Sequence, residues 1–312
     1  MWLAGHLWTI GPVLLHRVRP NLAPAAVPWS TTVRDPQLGS IALSGLLSER
    51  SDTDTCVIVV HGLGGTTETH YCVQAARAAD SAGFSCLRLA LRGADRDGED
   101  FYHAGIAADV AAAVASEPLR RYARVLVLGY SLGGHVVLRY ALAPTDARVR
   151  AVAAICSPLD LDLGARHIDG LVSYIYRRHV LAGLNAVYAE VARRRAVPTP
   201  LARVLQARTI REWDSLTVVP RHGFESVENY YRTISVGPSL SRLELPALLL
   251  HNRADPMVPP STYEPHLRSA GPRVTLRWLS GGGHVGYPGA LSLGEQAALG
   301  VEAQALSWLA RQ

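Results

Sequence analysis

Short apolar runs, set apart by stretches of helical composition, constrain this chain more than any other feature. Residues 56–60 read Cys-Val-Ile-Val-Val and lead into the glycine-rich His61-Gly62-Leu63-Gly64-Gly65. Runs of the same kind follow at 85–91, 124–129, 151–155, 247–251 and 274–279, with helical composition at 71–82, 104–115, 132–143 and 291–309. A strand covered on both faces is apolar throughout, and strands alternating with helices build a parallel sheet. Residues 33–47, interrupted by Asp35-Pro36 and Gly39, read as a hairpin region before it. The expected fold class is α/β, a mostly parallel and doubly covered sheet. Between 158 and 245 the rhythm stops, and Val180, Leu184, Val187, Tyr188 and Val191 recur at helical spacing. That stretch is expected to be a helical cap inserted over the sheet, dividing a core of 1–157 and 246–312. Insertions tend to sit above the carboxyl ends of strands, where function concentrates.

Composition removes several classes. A chain of 312 residues, 48% hydrophobic and 18% charged, has the means for a sizeable core and is not a disordered segment. All 31 basic residues are arginine, and a net charge of +5 without a recognisable binding module argues against a nucleic-acid partner. Cys56, Cys72, Cys86 and Cys156 lack metal-ligand spacing and are expected to be free thiols in a reducing compartment. Residues 2–15 are apolar, but Arg17 and Arg19 follow the run and none precedes it. It is also too short to span a bilayer, so a cytoplasmic protein is expected.

The chemistry concentrates where strands end. Gly129-Tyr130-Ser131-Leu132-Gly133 fits G-x-S-x-G, with Gly134 as a further small residue, between a strand and a helix. Alone the pattern is weak; in that context Ser131 reads as a nucleophile on a strained turn. A serine hydroxyl needs a positioned base. His284, in Ser280-Gly-Gly-Gly-His284-Val285-Gly286 after the last strand, is the candidate base, and Asp255, after the strand at 247–251, the candidate acid. Asp160 and Asp162 are the fallback acids. The developing oxyanion needs fixed donors: the N–H of Leu132, and that of Leu63 with Gly64 as second choice. His61, Tyr130 and His103 are candidate pocket residues, with His103 alternatively a helix cap. The acids of 95–100 read as a solvated loop, and Tyr230-Tyr231 as packing between insertion and sheet.

These residues resemble the α/β-hydrolase superfamily, and more narrowly the AB hydrolase 4 family of serine esterases, which includes monoacylglycerol lipases and phospholipases. The resemblance spans about residues 5–290 and rests on HGLGG and GYSLGG together with more specific segments. These are Gly5-His6-Leu7-Trp8-Thr9-Ile10, Arg92-Gly93, Tyr102-His103-Ala104-Gly105, His222-Gly223-Phe224, Tyr230-Tyr231-Arg232 and Gly282-Gly283-His284-Val285-Gly286. Trp8 departs from the family's glutamine. The resemblance implies a hydrolase fold with a cap, and the same Ser131, Asp255 and His284.

The leading expectation is a serine carboxylic-ester hydrolase acting on lipid-like or medium-chain acyl esters, with no cofactor and no metal. An acyltransferase using the same triad with an alcohol acceptor is the alternative, and a non-catalytic binding fold a third reading. Nine arginines and two acids fall between residues 164 and 211. They suggest peripheral contact of an Arg-rich cap with anionic membrane, centred on Arg193, Arg194 and Arg195.

Overall fold

The apolar runs do form one sheet. In this computed structural model, which describes residues 2–312, the strands are β1 (Val27–Asp35), β2 (Gly39–Ser48), β3 (Thr55–Val60), β4 (Ser85–Ala90), β5 (Arg124–Tyr130), β6 (Val152–Ile155), β7 (Ala247–His251) and β8 (Val274–Trp278). Their order is β1-β2-β4-β3-β5-β6-β7-β8. The hairpin β1–β2 pairs antiparallel to itself and to β4, and every later pairing is parallel. Asp35 sets the hairpin turn, its Oδ1 accepting the N–H groups of Gln37 and Leu38, both at 2.9 Å.

The helices are α1 (Trp2–Val18), α2 (His70–Ser81), α3 (Ala107–Ala115), α4 (Leu132–Tyr140), α5 (Leu161–Asp169), α6 (Tyr174–Arg194), α7 (Leu201–Val204), α8 (Ile210–Leu216), α9 (Val218–His222), α10 (Val227–Ile234), α11 (Glu264–Leu267) and α12 (Val301–Ala310). α5 to α10 all lie between β6 and β7 in the chain. β3 is buried along its whole length because each face meets helices. Ile58 and Val60 pack with Val110 of α3 and Val136 of α4; Val57 and Val59 pack with Cys72 of α2 and Leu306 of α12. The helix after β3 and the helix after β5 thus cover opposite faces of adjacent strands. The connections leave the carboxyl ends of β3 and β5 toward opposite faces, which leaves a crevice there.

Two local expectations are corrected. The helix expected over 291–309 is formed only from Val301 to Ala310. The Gln304 side chain accepts from the N–H groups of Leu293 and Glu295 and donates to the carbonyls of Glu295, Ala297 and Ala298, holding the preceding segment as a loop. The acids of 95–100 are not all solvated: Asp100 is buried against Arg92 and Arg221. Arg193, Arg194 and Arg195 turn to local partners. Arg193 pairs with Glu190, Arg194 with Asp97 and Glu190, and Arg195 donates to the Glu99 carbonyl. All four cysteines are free and buried. Among the described residues no helix is long and apolar enough to cross a membrane.

Candidate active site

The crevice holds the turn carrying Ser131. Its backbone sits at φ 51° and ψ −118°, a conformation that costs a non-glycine residue of order 1–3 kcal/mol. Close packing of β5, β3 and α4 enforces it. A Cβ on Gly133 would stand 2.4 Å from the carbonyl oxygens of Val60 and His61, and one on Gly129 2.3 Å from the Gly133 oxygen. The hydroxyl is thereby presented at the start of α4, half-buried.

His284 and Asp255 arrive from the loops after β8 and β7. Nε2 of His284 is 3.0 Å from Ser131 Oγ, and its Nδ1 is 2.8 Å from Asp255 Oδ2. The other carboxylate oxygen accepts the N–H groups of Met257 at 2.8 Å and Val258 at 2.9 Å. Burial would raise the Asp255 carboxyl, but the facing His284 ring and those two N–H groups outweigh it and hold it below its ordinary value. An ionised acid on one side of an imidazole and a hydroxyl on the other can move a proton off the hydroxyl.

The loop after β3 lies opposite. Gly62 donates its N–H to Tyr71 Oη at 2.9 Å, and Gly64 donates to Tyr102 Oη at 2.7 Å. The N–H of Leu63, between them, makes no hydrogen bond among the described residues. Leu132 is the first residue of α4, where an N–H has no carbonyl of the preceding turn to meet. Both leucines and Ser131 line one cavity of about 530 Å³, otherwise mostly apolar, with walls from α1, α5, α6, α8 and α10. That volume suits a small organic ligand.

A family model described as the alpha/beta hydrolase fold matches residues 55–289. The chain belongs to that family. "Putative esterase YheT" of Escherichia coli (strain K12) is 30% identical over 265 residues, covering 81% of this chain and 76% of that protein. The "Monoacylglycerol lipase" of Saccharomyces cerevisiae is 24% identical over 172 residues, covering 52% of this chain but only 37% of its own length. The solved esterase Pf2001 of Pyrococcus furiosus superposes with a TM-score of 0.52 at 15% identity, over 85% of this chain and 90% of that one, a likeness of fold alone.

Several side chains at this alpha/beta hydrolase site depart from expectation. Asp160 caps α5, accepting from the Leu163 N–H, and its other oxygen faces His266; Asp162 pairs with Arg166 and Arg211. Neither fallback acid is the one beside His284. His61 and Tyr130 lie outside the cavity lining. His61 bonds the Leu91 N–H and the Gly62 carbonyl, and the Tyr130 hydroxyl reaches Glu302 on the far face of the sheet. His103 does line the cavity, its Nδ1 accepting the Gly105 N–H at 3.1 Å. Tyr230 and Tyr231 pack against their neighbours and line the cavity as well, Tyr230 Oη accepting the Ala104 N–H at 3.0 Å. Among the described residues, the one group of three potential metal ligands is Cys156, Asp255 and His284, with ligand atoms within 4.8 Å of one another. Burial pushes the Cys156 thiol well up and His284 Nδ1 is occupied by Asp255, so the group offers no ready thiolate to a metal.

Two residues escaped the sequence reading. Thr9, in the GHLWTI segment, accepts the His284 backbone N–H at 2.8 Å and donates its hydroxyl to the Gly5 carbonyl at 2.7 Å. α1 presses so closely that a Cβ on Gly283 would stand 2.1 Å from the Gly5 oxygen, and one on Gly5 1.9 Å from the Ala254 oxygen. Thr9 is therefore a positioning residue for the histidine loop. Thr9→Val should lower kcat roughly 10–100-fold on a soluble ester with little change in KM, since small misplacements of a catalytic group carry such costs. Thr9→Ser should restore most of the rate. Steady-state kinetics of both variants check it.

The second is Asp214, buried in the cavity wall, whose Oδ2 accepts the Tyr231 hydroxyl at 2.6 Å. Burial pushes its pKa up to about 7; the Tyr231 hydrogen bond lowers it and the nearby Asp169 charge adds to the rise. In the unfolded chain the group titrates near ~4. From about pH 4 to 7 the folded protein thus holds a proton that the unfolded chain has lost, so stability falls as pH rises through that window. Asp214→Asn keeps an acceptor for Tyr231. It should raise Tm at pH 8 by about 5 °C or more and by much less at pH 5, read from thermal melts at both values.

Proposed function

We propose that the protein is a serine carboxylic-ester hydrolase that forms an acyl-enzyme on Ser131. The observation that carries this reading is the line Ser131 Oγ–His284–Asp255, at 3.0 and 2.8 Å, opening on a largely apolar cavity. His284 takes the serine proton as Oγ attacks the ester carbonyl, and Asp255 holds the ring and stabilises its charged form. The N–H groups of Leu63 and Leu132 meet the oxyanion, each worth about 3–4 kcal/mol in the transition state. His284 then protonates the leaving alcohol, and water repeats the sequence on the acyl-enzyme. The apolar walls support a lipid-like or medium-chain acyl group, in keeping with the names of the relatives.

The test is labelling by a fluorophosphonate probe, with the adduct mapped to Ser131, followed by p-nitrophenyl esters of graded acyl length. Turnover rising from acetyl toward medium chains supports the reading; an unlabelled folded protein overturns it. Product analysis with an added alcohol distinguishes hydrolysis from acyl transfer. In the same assay Asp255→Asn should cut kcat by about 10⁴-fold, because the acid orients without reacting. Asp160→Asn should stay within a few-fold of the parent. The reverse order would mean that Asp255 is not the acid.

A further inference from the structure

α1 leaves several leucines exposed to solvent. Its buried side is built from small residues, Gly5 and Thr9, which press on the histidine loop. Leu3, Leu7, Ile10 and Leu14 stand at helical spacing on the outer side, Leu7 72% and Leu14 53% exposed. Such a helix is not placed by burying its leucines in this chain. A second apolar projection faces outward at the start of α6, with Leu171 92% and Ile175 68% exposed.

The two projections rim one opening. Ile10, Leu14 and Arg17 of α1 and Ile175 and His179 of α6 all line the cavity that contains Ser131. His6 Nδ1 joins Tyr176 Oη at 2.5 Å, fastening the two helices together. The two projecting segments carry charge of one sign. Arg17, Arg19, Arg177 and Arg178 belong to these segments, none forms an ion pair among the described residues, and neither 2–22 nor 170–189 contains an acid. Arg177 donates to the carbonyls of Asp169 and Gly170, and Arg193 and Arg194 pair with acids.

We propose that α1 and the turn at 171–175 form a collar that seats the cavity mouth on an anionic lipid surface. The leucines enter the boundary between headgroups and acyl chains, and the arginines meet the lipid phosphates. A bilayer is the occupant that fits an outward apolar ridge bordered by cations without acid partners at Arg17, Arg19 and Arg178. The collar also surrounds the opening through which an apolar ester would enter. Binding to the surface does not require the reaction proposed above, so the two stand or fall separately.

Flotation of the full chain with vesicles tests the collar. With phosphatidylcholine vesicles containing 30% phosphatidylglycerol, the protein is expected to float, and less so as salt rises or the anionic lipid is left out. Leu7→Glu and Leu171→Glu, at exposed positions outside the cavity lining, should each lower the bound fraction tenfold or more. Arg19→Gln with Arg178→Gln should weaken binding to anionic vesicles alone. Hydrolysis of a short water-soluble ester should be unchanged in all of them, showing an intact fold. No flotation of the parent protein, or equal flotation of the leucine variants, overturns the proposal. So does a parent that is dimeric without lipid and becomes a non-floating monomer in Leu7→Glu, which would mark the face as a contact between copies of this chain.

Discussion

Replacing Ser131 with alanine is expected to lower kcat for ester hydrolysis by about 10⁶-fold, the loss that follows removal of a nucleophile acting in concert with its base. The fold should survive. Alanine meets the same backbone strain at φ 51° and removes one hydroxyl that is hydrogen-bonded to His284 alone of the side chains around it. Tm should therefore stay within about 3 °C of the parent. The distinction between attack and mere binding rests on this variant. A folded protein retaining hydrolysis within tenfold would remove Ser131 from the mechanism, and loss of both activity and fold would be visible in the melt. Labelling by the fluorophosphonate probe should disappear with the activity.

The largest effect on stability is expected at Arg92. Its guanidinium is buried among three carboxylates: Asp109 at 2.6 Å, Asp100 at 3.1 Å and Asp35 at 3.2 Å. Arg221 of α9 closes the cluster, 2.8 Å from Asp100 and 3.1 Å from Asp35. Two cations thus serve three buried acids, and the cluster ties the hairpin, the loop after β4, α3 and the inserted helices together. Arg92→Leu strands the acids, and breaking a buried pair in this way costs roughly 3–5 kcal/mol. The loss should depend on pH. Burial already raises the Asp109 carboxyl despite the opposing Arg92, and without Arg92 the acid should take up a proton as pH falls. That proton relieves the stranded charge, so the variant should be less destabilised at pH 5 than at pH 8. Arg92→Lys should fall between the two, because it keeps the charge without the forked geometry. Urea denaturation at both pH values measures the difference; a penalty below 1 kcal/mol at pH 8 would show that the cluster contributes little.

The sheet and its order of chemistry were legible in the residues themselves. A strand covered on both faces must be apolar throughout, so Cys56–Val60 and Ala247–His251 announced themselves without any contact being known. The elbow was legible for a local reason too, since the backbone at 129–134 needs small residues on either side of Ser131. The extent of the last helix was not. Residues 291–300 have helical composition, but the Gln304 side chain bonds five of their backbone groups and holds them in a loop. Propensity sums neighbours along the chain and misses a bond of that kind.

At the site the limit was distance in the chain. Ser131, Asp255 and His284 follow strands and could be ranked by position, yet Asp160 also follows a strand, and only the folded chain assigns it to capping α5 and facing His266. Tyr130 stands beside Ser131 in sequence, yet as the last residue of β5 it faces the α12 side of the sheet, while Ser131 has left the strand for the turn. Thr9 lies 275 residues from His284 and was marked in sequence only by its place in GHLWTI, with nothing to show what it touches. The residues alone determined which backbone could form and which groups could react. The tertiary structure placed Asp255 beside His284, left the Leu63 N–H without a bond among the described residues and set which leucines face solvent, because those outcomes depend on close approach between segments that share no local pattern.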